Sequence, residues 1–427
     1  MEQTNRKYVE YIRILKEELI PATGCTEPIA LAYAAAKARE ILGTVPERCR
    51  VVVSGNIIKN AKSVVVPNTN GLKGIGAAAA SGIVAGDPSK ILDVLSNINE
   101  TDKTKIAEYQ EKHDISIIPY EGDAIFYIDV TLFYGDTYAK IVIENFHTNI
   151  VLIEKNGEVL FRAGEKNECT IGITDRKLLN VKDIVDFVDS VELSDIEDVI
   201  GRQIEYNSAI AADGMANDWG ANIGKTLIST YGNDVKIRAR AFAAAGSDAR
   251  MGGCEKPVII LSGSGNQSLA ASLPVIEFAS ELKVTREKMI RALALSDLIA
   301  IHEKTSIGRL SAFCGAVSAG CAAGAGIAYL NGGKYEAVSH TVVNALAIVS
   351  GIVCDGAKPS CAAKIATAVD AGILGYSMYQ NGQQFFGGDG IVTKGVDNTI
   401  ANVGRMASRG MRETDKEILN IMVGQNC

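Results

Sequence analysis

The chain has 427 residues, enough for two or three domains at about 100–200 residues each, and its 47% hydrophobic and 22% charged residues exclude a wholly disordered chain and a membrane bundle. Lys and Arg number 43 against 50 Asp and Glu, a net charge of −7 with no long run of one sign, so no nucleic-acid partner is expected. Glycine is abundant at 42 residues, while four histidines leave a histidine-based catalyst few candidates and nine cysteines leave thiol and metal chemistry many.

The N-terminal residues run directly into charge, without the apolar stretch and small-residue cleavage site of a secretory leader. A cytoplasmic protein with reduced thiols is therefore expected. Residues 4–19 place Tyr8, Ile12, Leu15 and Leu19 on one helical face, and the helix should stop at Pro21. The segment from Pro21 to Pro28 then reads as a turn, followed by a helix whose first turn takes Pro28 and whose cap is Thr26 or Glu27. Cys25 thus stands at the mouth of a helix N-terminus.

Val51–Val53 and Val64–Val66 read as short β pieces around a polar turn containing Asn56, Lys59 and Asn60. The glycine-rich turn Asn68–Gly76 opens an Ala-rich helix, a start of the kind that binds anions and equally a common turn. Between 115 and 165 the chain becomes aromatic and β-branched, with hairpin turns at Gly135-Asp136 and Asn156-Gly157. Beyond Asp175 helical patterns return, and from Ser208 the chain is Ala/Gly-rich with only short β runs such as Val258–Leu261. The uncharged stretch Leu310–Leu330 is long enough to span a bilayer, but its Gly, Ala and Ser suit close helix packing, so no membrane partner is expected. The predicted fold class is α+β. A predominantly helical, Ala/Gly-rich catalytic domain (1–100 and 195–427) carries a small inserted antiparallel β (α/β) subdomain at 101–194.

Four cysteines form a pattern: Cys314-x6-Cys321 and, 33 residues on, Cys354-x6-Cys361. The second pair lies in a Gly/Pro-containing loop that can fold two thiolates toward one point, and a third thiolate from a nearby helix would complete a metal or iron–sulfur site. On a helix, Cys314 and Cys321 would sit about 10 Å apart, too far to share one metal atom. Gly315 marks a helix start just after Cys314, whereas Cys321 sits within Ala-Gly-Cys-Ala-Ala and reads as core. The candidate ligands are therefore Cys314, Cys354 and Cys361, with three buried structural thiols as the competing reading. Such a site suits a lyase that needs a base beside it, and Cys25, with a helix dipole favouring its thiolate, is the candidate. Cys49, Cys169, Cys254 and Cys427 lack supporting neighbours.

Together, Pro21-Ala-Thr-Gly-Cys-Thr-Glu-Pro-Ile29, Ser262-Gly-Ser-Gly-Asn-Gln-Ser268, Cys314-Gly315 and Cys354-Asp-Gly-Ala-Lys-Pro-Ser-Cys361 resemble the L-cysteine desulfidase family over nearly the whole chain. That family is related to the α-chain of iron–sulfur L-serine dehydratases, in which the last two cysteines stand further apart. The resemblance implies a [4Fe-4S] cluster on Cys314, Cys354 and Cys361, Cys25 as the proton-transferring thiol, and an amino-acid substrate, L-cysteine, broken down to pyruvate, ammonia and sulfide. Substrate-binding candidates are Ser262, Ser264, Asn266 and Gln267, whose amides and hydroxyls suit a carboxylate, with Thr26, Glu27, Asn56, Lys59 and Asn68. The turn Gly387–Gly390 and His302 are weaker candidates. Closely packing Ala/Gly-rich helices make a homodimer the expected assembly. Competing functions are an L-serine dehydratase-like lyase, a pyridoxal-phosphate lyase using the Gly/Ser loop and a lysine, and a non-catalytic iron–sulfur sensor.

Overall fold

The structure, a computed structural model, describes residues 6–164, 174–308 and 310–424. It is 61% helical with one small mixed sheet, the α+β class expected from the sequence. Cys169 and Cys427 lie outside the described residues.

Helix α1 (Arg6–Glu18) buries Tyr8, Tyr11, Ile14 and Leu15 along one face. The helix ends before Pro21 as expected, but the start of the segment read as a turn is strand β1 (Ile20–Thr23), which pairs antiparallel with β8 (Pro257–Ile260). A two-stranded ribbon tolerates Pro21 because a strand edge does not need every N–H. Next come α2 (Thr26–Leu42), β2 (Arg48–Val53), α3 (Gly55–Ala61), α4 (Gly74–Ala85) and α5 (Glu100–Lys112). The segment around Asn56 and Lys59, expected as a turn, is helical in α3, because burying Ile57, Ile58 and Ala61 on one face outweighs the local polar composition. Val64–Val66 is not a strand and keeps only an isolated bridge from Val65 to Lys73.

The β-rich stretch supplies β3 (Asp114–Pro119), β4 (Tyr127–Tyr134), β5 (Thr137–Glu144), β6 (Ile150–Lys155) and β7 (Glu158–Arg162), with both expected hairpin turns in place. The sheet order is β3-β2-β4-β5-β6-β7. It therefore takes in β2 from ahead of residue 101, and its β2–β3 pairing is parallel where an all-antiparallel sheet was expected. The cause is the alternation in Arg48–Val53, where Cys49, Val51 and Val53 face inward and fill the sheet centre. Helix α2 packs across β4 and β5 and carries Cys25 and Glu27 at the end nearest the second half of the chain.

That half is a helical assembly: α6 (Val181–Ser190), α7 (Leu193–Ala216), α8 (Ile223–Tyr231), α9 (Val235–Gly252), α10 (Gly265–Glu281), α11 (Arg286–Ile307), α12 (Gly315–Leu330), α13 (Tyr335–Val349), α14 (Ser360–Gln380), α15 (Val396–Arg405) and α16 (Arg412–Val423). Helix α12 is surrounded by α10, α11, α13 and α14. Its small residues permit this: a Cβ on Gly324 would collide with the backbone of Gly372 in α14. No described helix is long and apolar enough to cross a membrane.

A buried polar network holds α10 in place. Gln203 of α7 donates to Ser268 of α10 and to Asp297 of α11, each at 3.0 Å, while Asn207 donates to Ser268 at 3.0 Å and Ser272 at 2.9 Å. Burial pushes the Asp297 carboxyl up to about 7, against which the Gln203 hydrogen bond acts only in part. A carboxyl raised above its ordinary ~3.9 in the unfolded chain gives stability present at low pH and lost as pH rises toward its folded value. Asp297→Asn removes that loss. The variant should gain about 2.5 kcal/mol more over wild type at pH 8 than at pH 5, roughly two pKa units at ~1.4 kcal/mol each. Urea unfolding at the two pH values measures it, and equal gains would contradict the raised carboxyl.

Candidate active site

The β1–β8 pairing sets the turn Gly24-Cys25 beside the turn Leu261–Ser264. Ser262 and Gly263 both adopt positive φ, 49° and 80°, which sends the chain from β8 sharply into α10. Thr26 Oγ1 donates to the Gly263 carbonyl at 2.9 Å and locks the two turns together. Cys25 is itself the N-cap of α2, with no side-chain cap bond.

The opposite wall comes from three segments. Residues Ala312–Cys314 and Ile352–Cys354 are zipped by backbone hydrogen bonds, Cys314 N to Ile352 O at 3.2 Å and Cys354 N to Ala312 O at 2.6 Å. Cys314 caps α12, which starts at Gly315 as its sequence suggests, and Cys361 is in the first turn of α14. Gly356, at φ 97°, lets the Cys354–Cys361 loop press onto α3, where a Cβ would run into the Lys59 carbonyl. The walls enclose a cavity of about 100 Å³ lined by Cys25, Thr26, Glu27, Ser262, Ser264, Asn266, Gln267, Cys314, Cys354 and Cys361, all named from the sequence.

Three named residues do not reach it. Asn56 lines a different cavity. Lys59 is buried against Asp415 at 2.5 Å, since a cation inside α3 needs a carboxylate partner. Asn68, in a left-handed turn at φ 59°, donates to the Leu95 carbonyl at 2.9 Å. Gly387–Gly390 forms a turn elsewhere. His302 bonds Asp397 at 2.8 Å, whereas Lys304, two residues on and so on another face of α11, lines the cavity. Cys321 is buried in α12 beside Glu303, and Cys49 and Cys254 are buried away from the site.

The geometry adds residues that no motif indicated: Asn60, His147, Arg250 and Lys304. Arg250 is 2% exposed; its Nη1 donates to Asn266 Oδ1 at 3.1 Å and its Nε has no partner. Among the described residues no carboxylate pairs with it. Glu27 gathers a hydrogen bond from the Cys25 thiol at 3.1 Å, one from Asn60 at 3.2 Å, and His147 Nε2 at 3.8 Å. Burial alone would raise the Glu27 carboxyl, but His147 and the Cys25 thiol outweigh it and hold it down to about 2. Cys25 moves the other way. Burial first, then the Glu27 charge, pushes its thiol well above the ordinary range, with Arg250 opposing only in part. The helix dipole expected to favour a thiolate is thus overridden, and the resting pair is a thiol hydrogen-bonded to a carboxylate.

A family model described as serine dehydratase alpha chain matches residues 89–420. The chain belongs to the serine dehydratase alpha chain family. It is also 61% identical over 425 residues to a UPF0597 protein of Desulfitobacterium hafniense, covering 100% of this chain and 99% of that one. UPF0597 proteins of Lachnoclostridium phytofermentans (50% over 416 residues, covering 97% and 100%) and Treponema denticola (48% over 424, covering 98% and 98%) match along their whole lengths too.

In this serine dehydratase alpha chain family member, the residues that could hold an iron–sulfur cluster are Cys314, Cys354 and Cys361. Among the described residues no group of three His, Cys, Asp or Glu side chains is gathered tightly enough for a single metal ion. The fit to a cluster rests on the donors: three soft thiols share one cavity wall. Burial, followed by the negative charges of Cys354 and Cys361, pushes Cys314 up to about 12, so Cys314 ionises only against a cation. Lys364, beside them, is already held by Asp355 and the Val353 carbonyl. Asp355 is kept at about 2 despite burial by Lys364 and Lys358, which leaves the thiolates to a metal.

Proposed function

We propose that this chain is an L-cysteine desulfidase, a carbon–sulfur lyase that converts L-cysteine to pyruvate, ammonia and sulfide with a [4Fe-4S] cluster on Cys314, Cys354 and Cys361. What carries the reading is one small cavity lined by three thiols, by a thiol–carboxylate pair and by a buried guanidinium that no carboxylate among the described residues pairs with. Its volume of about 100 Å³, well below the ~300–1,000 Å³ of drug-sized sites, suits a small amino acid.

When bound, the cluster supplies a Lewis acid for the leaving group. The chain's own residues do the rest. Arg250 and Asn266 take the substrate carboxylate, since a buried cation without a partner is satisfied by an anionic ligand. Ser262, Ser264 and Gln267 line the same wall and orient the amino acid. Cys25 removes the α-proton as its own proton moves along their hydrogen bond to Glu27, which is a carboxylate at rest and holds that proton only in passing. The aminoacrylate released tautomerises to the imine and hydrolyses to pyruvate and ammonia.

Anaerobic reconstitution with iron and sulfide, followed by assay of sulfide and pyruvate, tests the reading. Sulfide and pyruvate in equal amounts from L-cysteine are expected, and Cys314→Ala, Cys354→Ala and Cys361→Ala should each lose bound iron and activity. Turnover of L-serine but not L-cysteine would make the protein a dehydratase. Activity without iron, trapped by borohydride on a lysine, would assign it to pyridoxal-phosphate chemistry.

A further inference from the structure

His147 stands between two cavities. It lies on the connection from β5 to β6, where Asn145 takes a left-handed turn at φ 68°, and it is 7% exposed. Its ring meets Phe126 edge-on at 4.8 Å, which fixes its plane. One side faces the cysteine-lined cavity, where among the described residues Nε2 has no hydrogen-bond partner and lies 3.8 Å from Glu27 Oε1. The ring also lines a second cavity of about 360 Å³, and among the described residues the two cavities share His147 and Gly263 in their linings.

The charged groups around the second cavity are already committed to one another. Arg176 pairs with Glu17 and, at 2.7 Å, with Glu18, both from α1. The remaining walls, Ile20, Leu92, Phe146, Thr148, Asn149 and Ile260, carry no charge. Among the described residues Glu27 is therefore the ionised group facing His147 within ion-pair reach. On the site side, Arg250 is directed to Asn266.

The reaction proposed above leaves a proton on Glu27, whose side chain is buried. The geometry points to His147 as the exit for that proton: it accepts at Nε2 from the Glu27 carboxyl and releases a proton from its other ring nitrogen to water in the second cavity. Imidazole suits the task because its two nitrogens accept and donate on opposite edges. The proton count closes, since Glu27 returns to carboxylate, His147 to its starting form, and one proton enters solvent. His147 touches Glu27 rather than substrate, so it acts by positioning and passing the proton that Cys25 and Glu27 handle. It also gives the β-rich part of the chain a share in the site that no cysteine motif announces.

The inference rests on the desulfidase reading for its proton, and the test separates the two. Reconstituted wild type, His147→Ala and His147→Gln are incubated with L-cysteine and with L-serine in D2O, and both loss of the α-hydrogen NMR signal and product release are followed. Loss of the α-hydrogen reads proton transfer whichever group leaves, while sulfide release reads the desulfidase activity alone. Both variants should lose about tenfold or more in α-hydrogen loss. Added imidazole should restore His147→Ala, with the restored rate following the basicity of substituted imidazoles. His147→Gln fills the same space without a titrating nitrogen and should stay slow. Variants as fast as wild type, or rescue of His147→Ala that ignores the basicity of the added imidazole, would overturn the relay. Wild type that exchanges the α-hydrogen but releases no sulfide overturns the desulfidase reading and leaves the relay standing or falling on the variants. Wild type that does neither overturns both.

Discussion

Cys25→Ser should lower kcat by about 10²–10⁴-fold, the usual contribution of a positioned acid–base group, and leave bound iron unchanged, because Cys25 is not one of the three candidate ligands. Serine fills the site but does not ionise in the working range. The companion variant Glu27→Gln separates the thiol from its environment. After burial, the Glu27 charge is the largest influence raising Cys25, so removing it should lower the thiol's pKa and speed its alkylation. Turnover should nevertheless fall, because the amide cannot accept the proton. Sign follows from direction. Glu27, held at about 2, is a carboxylate throughout the neutral range, whereas Cys25 is mostly thiol, so thiolate grows about tenfold per pH unit and alkylation should climb from pH 6 upward. Iodoacetamide labelling of the Cys25 peptide, read by mass spectrometry across that range, measures it. A flat profile, or one unchanged in Glu27→Gln, would remove Glu27 as the thiol's partner.

Much of this site could be read before any coordinates, and the exceptions have physical causes. Cys25, the Ser262–Ser268 turn and the three cysteines each sit where glycine, proline and a helix start coincide, and such local signals survive in sequence. The hairpins of β4–β5 and β6–β7 were equally plain because their turns are two residues long. By contrast, β2 joins the sheet through pairing with residues from 66 to 85 positions away, which no local pattern announces. Asn56, Lys59 and Asn68 looked like ligand groups because they are polar and lie near turns, but Asn56 lines a different cavity, Lys59 pairs with Asp415, and Asn68 donates to the Leu95 carbonyl. Arg250 shows the reverse failure. It ends a helix of Ala and Gly with nothing around it to suggest a site, and only the approach of α10 to α9 brings it to Asn266. His147 was one of four ordinary histidines until the β5–β6 turn folded over Glu27.

Arg250 provides the second large effect. Its guanidinium is 2% exposed, bonded to Asn266 on one side and unpartnered at Nε. A buried charge left in that state is costly, by several kcal/mol, unless a ligand completes it. A substrate carboxylate would do so, and the Arg fork can offer it two parallel N–H groups. Arg250→Met should then lower kcat/KM by roughly 150- to 5,000-fold, the ~3–5 kcal/mol of breaking a buried pair from one side. The fall should lie mainly in KM, because the carboxylate keeps its charge through the reaction and gains nothing extra in the transition state. Arg250→Lys retains charge but not the fork and should recover only part. The unliganded variant should also be no less stable than wild type, and by thermal unfolding even more so, since methionine ends the burial of an uncompensated cation. L-cysteine should then stabilise wild type against heat and leave Arg250→Met unmoved. Equal ligand-induced shifts in the two proteins would place the carboxylate elsewhere on the wall, with Ser262, Ser264 and Gln267 as the groups left to hold it.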